Sequence, residues 1–136
     1  MELPGTAERV PQHTAANVNR ALRRSTKEDL VYYRDHPEEI DQRLQELEKE
    51  WDIERTLEAT AASATLVGVG LAFVSRRFLF LPGIVAGFLL QHALQGWCPP
   101  LAVFRRLGYR TEREIEGERR GLKTLRERAR DATAAE

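Results

Sequence analysis

The chain has one cysteine, three scattered histidines and no apolar run before about residue 57. Each scarcity excludes something. A single thiol, Cys98, allows neither an internal disulfide nor a cysteine-rich zinc site. His13, His36 and His92 show no metal-ligand spacing. No catalytic constellation, metal or cofactor is therefore expected. The opening Met-Glu-Leu-Pro-Gly does not read as a signal peptide, so the first apolar segment would have to direct insertion itself and stay in the product.

Charge is also scarce, but only in the middle. Between residues 59 and 104 the charged side chains are Arg76 and Arg77. Residues 1–58 carry nine Lys/Arg against fourteen Asp/Glu, and residues 105–136 carry ten against seven. These regions cancel to a net charge of zero and a negative mean hydropathy, averages that by themselves describe an ordinary soluble chain. The segregation says otherwise, because a bilayer demands it of a solute and a water-soluble core does not.

The charge-poor stretch divides at Ser75-Arg76-Arg77 into runs 57–74 and 78–97. At 1.5 Å per residue these span roughly 27 Å and 30 Å, close to the ~30 Å hydrocarbon core. A single span would hold both arginines near mid-membrane at about 2.5–3.5 kcal/mol each. A hairpin moves them to the far interface. The first run has six strong apolar residues (Leu66, Val67, Val69, Leu71, Phe73 and Val74) diluted by Thr, Ser and Gly, so it is expected to insert only as a pair with the second. The competing reading, a hairpin buried in a soluble bundle, fails on supply: the flanking segments offer only narrow apolar stripes.

Residues 1–16 read as a disordered leader and 17–56 as a charged helical arm. Within that arm Pro37 with Glu38 and Glu39 signals a helix start. Ile40, Leu44, Leu47 and Trp51 then form a heptad-like seam, and no Gly or Pro follows before Gly68. The helix is therefore expected to run unbroken into the first span, and its seam to zip two copies into a dimer. Residues 98–108 read as an interfacial segment, with Leu101, Phe104 and Leu107 on one face beside Arg105 and Arg106. In 109–136, Thr111 and Glu114 form a capping box that opens a charged helix. Its seam of Ile115, Leu122, Leu125 and Ala129 is interrupted by Glu118. Basic residues outnumber those of the turn on the terminal side, which places both termini in the cytoplasm. The expected fold is all-α, a two-span transmembrane helical hairpin with cytoplasmic helical arms in an inner membrane.

Several residues stand out as possible sites. Cys98 is the one nucleophile, and otherwise a packing residue at the end of a span. Gln91, His92 and Gln95 are polar within a span; hydrogen bonds to Thr60, Ser63 or Thr65 are the plain reading and a proton path the sharper one. Gly83 and Gly87 form a GxxxG motif, and Ala64 with Gly68 a small-xxx-small partner. Whether these close the hairpin or join two copies stays open. Trp97, Arg105 and Arg106 are expected interface anchors, and Arg105, Arg106 and Arg110 attract anionic lipid. Glu112, Glu114, Glu116 and Glu118 among the basic residues argue against nucleic acid.

From about Trp51 to Leu125 the chain resembles the YgaP-like transmembrane domain family of bacterial inner-membrane hairpins. The resemblance is carried by Gly96-Trp97-Cys98-Pro99, then Leu107-Gly108 and Thr111. Trp51-Asp-Ile-Glu-Arg55 and Gln91-His92-Ala-Leu-Gln-Gly-Trp-Cys-Pro-Pro100 look like a subgroup of short stand-alone members. Some relatives carry a rhodanese domain with a catalytic cysteine. The segment before the first span is too short for one and has no cysteine, so that activity does not carry over. The resemblance implies location and topology. The expected role is a non-enzymatic membrane anchor or adaptor that holds a protein partner through its arms, with a thiol-based sulfur or redox component acting through Cys98 as the alternative.

Overall fold

The structure, a computed structural model, describes residues 6–135, and every regular element among them is helical. Helix α1 covers Thr6–Gln12, α2 Ala16–Asp35, α3 Ile40–Lys49, α4 Ile53–Ala72, α5 Phe80–Gln95, α6 Pro99–Arg106 and α7 Glu112–Ala134. Short 3-10 turns at Pro37–Glu39 and Arg76–Leu79 lead into α3 and α5.

Helices α4 and α5 pack together as a helical hairpin whose turn is Phe73–Ser75. Gly68 makes the approach close: a Cβ there would lie 2.5 Å from Pro82 Cδ and 3.2 Å from Leu81 Cβ. Away from that seam and from the first turns of α4, much of the hairpin's apolar surface faces outward. Phe73 is 91% exposed, Val74 82% and Phe80 77%, and α5 has no buried residue. With its leading 3-10 turn, α5 is the one helix among the described residues long and apolar enough to cross a membrane. Helix α4 is long enough but opens on Glu54, Arg55 and Glu58 and is diluted by Thr, Ser and Gly.

The other helices form a bundle with two small cores. In the first, Val10 of α1 joins Ile53 and Leu57 of α4, Cys98 and Leu101, with Phe88, Trp97 and Phe104 packed against them. In the second, Ile40, Leu44 and Leu47 of α3 meet Ile115 and Leu122 of α7, with Leu30, Tyr33 and Leu125 beside them. Burying a side chain of this size stabilises by about 1.5–3 kcal/mol.

Three expectations change here. Part of the expected leader is ordered: Thr6–Gln12 is helical and Val10 is fully buried, while residues 1–5 lie outside the described residues. The α3 seam packs within the chain against α7, so it does not face a second copy, and Trp51 stays exposed outside it. Nor does α3 run into α4. The chain extends at Glu50, and Asp52 caps a new helix by accepting a 2.7 Å hydrogen bond from the Arg55 N–H.

Candidate functional site: the junction of hairpin and bundle

Two turns come together where the hairpin meets the bundle. Gly96 ends α5 with φ +71°, the left-handed conformation that glycine adopts without penalty, and its N–H bonds the His92 carbonyl at 2.7 Å. Arg9 of α1 lies so close that a Cβ on Gly96 would meet its Cβ at 2.7 Å. Cys98 is then extended and fully buried, and Pro99 starts α6. Gly108, at φ +95°, ends α6, and Thr111 caps α7 by the expected reciprocal pair with Glu114. The Ile53 N–H donates to the Arg110 carbonyl at 2.8 Å, which ties the α3–α4 break to the α6–α7 turn.

Beside this junction, Arg105 of α6 ties the bundle's own helices together. Only 1% exposed, it spends all five N–H donors on the chain. Its Nε donates to Thr14 Oγ1 at 3.2 Å, and its terminal nitrogens reach Asn19 Oδ1, the Tyr109 carbonyl and both oxygens of Glu114 at 2.6–3.1 Å. Burial disfavours the ionised Glu114, but the Arg105 guanidinium and the Thr111 N–H outweigh it and hold the carboxyl below the usual range. A second centre surrounds Glu118, which has no exposure. Arg43 reaches it from α3 at 2.9 Å and Arg110 from the α6–α7 turn, while Arg110 also clasps Glu50 with two bonds of 2.9 and 2.6 Å. Each carboxylate is paired on both oxygens, as burial of a charge requires.

These pairings correct part of the anchor set. Arg105 and Arg110 are buried and paired within the protein, so they are not available to lipid headgroups, whereas Arg106 is exposed. Leu107 does not share the buried face of Leu101 and Phe104; it is 69% exposed. Trp97 packs against the Val10–Cys98 core.

The other singled-out residues separate. Cys98 sits in that core, and burial pushes its thiol pKa up despite a hydrogen bond from the Leu101 N–H, the opposite of what a nucleophile needs. Gln91 and Gln95 pair with each other at 3.5 Å rather than across to Thr60, Ser63 or Thr65, and His92 Nδ1 is buried without a partner. Gly68 makes the hairpin contact, Ala64 lies beside a cavity, and Gly83 and Gly87 face open space. The two small-residue motifs therefore do not meet inside the hairpin.

Sequence reasoning missed Glu118, Arg43, Glu50, Thr14 and Asn19. A signal existed only for Glu118, the misfit in an apolar seam. The two ion centres fix the bundle's helices to one another, and the Ile53 N–H bond to the Arg110 carbonyl ties α4 to them. Among the described residues no three His, Cys, Asp or Glu side chains are grouped to hold a metal. No protein-family model matches the chain, and no curated protein or solved structure matches it either.

Proposed function

We propose that the chain is a two-pass inner-membrane protein whose hairpin fixes the helical bundle at the cytoplasmic surface, where it holds a protein partner without catalysing a reaction. The observation that carries this reading is the outward apolar surface of α4 and α5. Leu66, Phe73, Phe80, Leu90 and Leu94 are all exposed, while the bundle collects much of its apolar side-chain surface into two cores. A monomer in water rarely shows a contiguous apolar surface of this kind. Helix α5 meets the length and composition of a span, and α4, packed along it from Gly68, inserts as its partner. The resemblance to YgaP-like hairpins points the same way. The motif Gly96-Trp97-Cys98-Pro99 has a mechanical use in this reading, since it stops the second span and turns the chain into α6.

The adaptor role outranks the thiol role because Cys98 is buried and its thiolate disfavoured. A homodimer through Gly83 and Gly87 belongs to the same proposal, since both glycines lie open on the hairpin's outer surface. Washing membranes with alkaline carbonate tests insertion: the protein should stay in the pellet, and release into the supernatant would refute it. Cys98→Ser separates the roles, because an adaptor keeps its cross-linked partner and its phenotype while a thiol carrier loses both.

A further inference from the structure

The hairpin is not close-packed along its whole length. At Gly68 the helices touch, but toward Cys98 the small side chains of Ala61 and Ala64 face Val85 and Phe88 and leave a cavity of about 250 Å³. Protein interiors hold few voids larger than a water molecule, and apolar cavities of ~150 Å³ already admit a benzene-sized guest. Water is a poor occupant, because it needs two to four polar partners and Thr60 supplies the one hydroxyl in walls otherwise formed by apolar side chains and the Cys98 thiol.

The mouth indicates what does fill it. Leu81, Ile84 and Leu89 line the cavity and are themselves exposed members of the hairpin's apolar surface. The opening is thus continuous with the surface that faces hydrocarbon in the membrane reading, on which this inference rests. A second copy docking through the GxxxG motif would not cover it. Leu81, Ile84, Val85 and Phe88 follow the i, i+3, i+4, i+7 spacing of one helical face, and Gly83 and Gly87 fall on the opposite one. From Leu81 to Phe88 the wall runs roughly 10 Å along α5, a length suited to an extended aliphatic segment.

We propose that this slot binds one acyl chain of a bilayer lipid, with the ester end near Cys98 and Pro100 and the tail directed toward Leu81. The bound chain completes the packing between the spans.

The test is native mass spectrometry of the full chain ejected from nanodiscs of dioleoylphosphatidylglycerol and dioleoylphosphatidylethanolamine. The wild type should retain one phospholipid per chain under activation that strips the surrounding lipid. Ala64→Phe, which places a ring in the slot, should lose that adduct, and so should the milder Ala61→Leu; circular dichroism reports whether each keeps its helices. Gly83→Ala, on the opposite face, should keep it. A wild type with no retained lipid, or equal retention in both slot variants, would overturn the proposal. So would a retained second copy that disappears with Ala64→Phe. Carbonate washing of the same membranes keeps the two ideas apart: protein released to the supernatant refutes insertion itself, whereas protein in the pellet without a retained lipid refutes only the slot.

Discussion

Helices α5 and α7 belong to the same short chain and solve opposite problems. Helix α5 is apolar on every side up to Gln91, and it buries none of its residues. Helix α7 is dominated by charge, yet it buries Ile115, Leu122 and a glutamate, Glu118. In water the second pattern is the economical one: a narrow apolar stripe is covered and a buried charge is paired. The first pattern makes sense where the surroundings are themselves apolar. The hairpin and the bundle thus carry opposite surfaces, and they are joined through the Val10–Cys98 core and the Ile53 N–H bond to the Arg110 carbonyl.

The largest expected effect lies in the bundle. Glu118→Ala removes the buried carboxylate shared by Arg43 and Arg110, a change worth up to about 3–5 kcal/mol and softened because Arg43 keeps Glu46 and Arg110 keeps Glu50. Urea titration of the detergent-solubilised protein should show the bundle unfolding at much lower denaturant, and an unchanged midpoint would mean that the ion centre is ornamental. Next comes the hairpin. Leu90 is 61% exposed, so Leu90→Lys should cost nothing in water but up to about 2.5–3.5 kcal/mol within a bilayer. Reduced membrane insertion with intact bundle stability sharpens the contrast between the two regions; normal insertion breaks it. Thr111→Ala removes the α7 cap and should cost about 1 kcal/mol, measurable in the same titration.

The smallest effect has a defined sign. Burial, with Asp52, Glu58 and Glu112 nearby, raises the Glu54 pKa, and its Oε1 has no hydrogen-bond partner. A carboxyl whose folded pKa is raised destabilises the fold once ionised, so the cost sets in as pH climbs past the unfolded value of about 4.3. It is complete above the folded pKa. Glu54→Gln should therefore be slightly more stable than wild type at pH 7, with the difference vanishing below about pH 4. A less stable variant at pH 7 would show that the Glu54 carboxylate is paired.

What the sequence made legible was local. Thr111 with Glu114 announces the start of α7, and the Ser75-Arg76-Arg77 break falls at the end of the hairpin turn and the start of the 3-10 turn that leads into α5. The weakness of the first apolar run was also visible in its composition, and among the described residues α5, with its leading 3-10 turn, is the one helix that meets the requirements of a span. The absence of Gly and Pro between Ile40 and Gly68 argues for one continuous helix, yet Asp52, a capping residue type, starts a new one. The junction could not be read at all. Arg43 meets Glu118 across 75 positions, and Arg105 reaches Asn19 across 86, so no periodicity or short spacing connects them. Val10 shows the same limit: one apolar residue in a polar stretch gives no pattern, yet it is fully buried once α1 docks beside Cys98.

The most direct measurement is the side of the membrane on which the hairpin turn lies. Alkaline phosphatase fused after Arg77 should be active outside the cytoplasm, while the same enzyme fused after Glu136 should be silent. Activity at neither position, or only at Glu136, would contradict a hairpin that crosses the membrane twice with both ends inside.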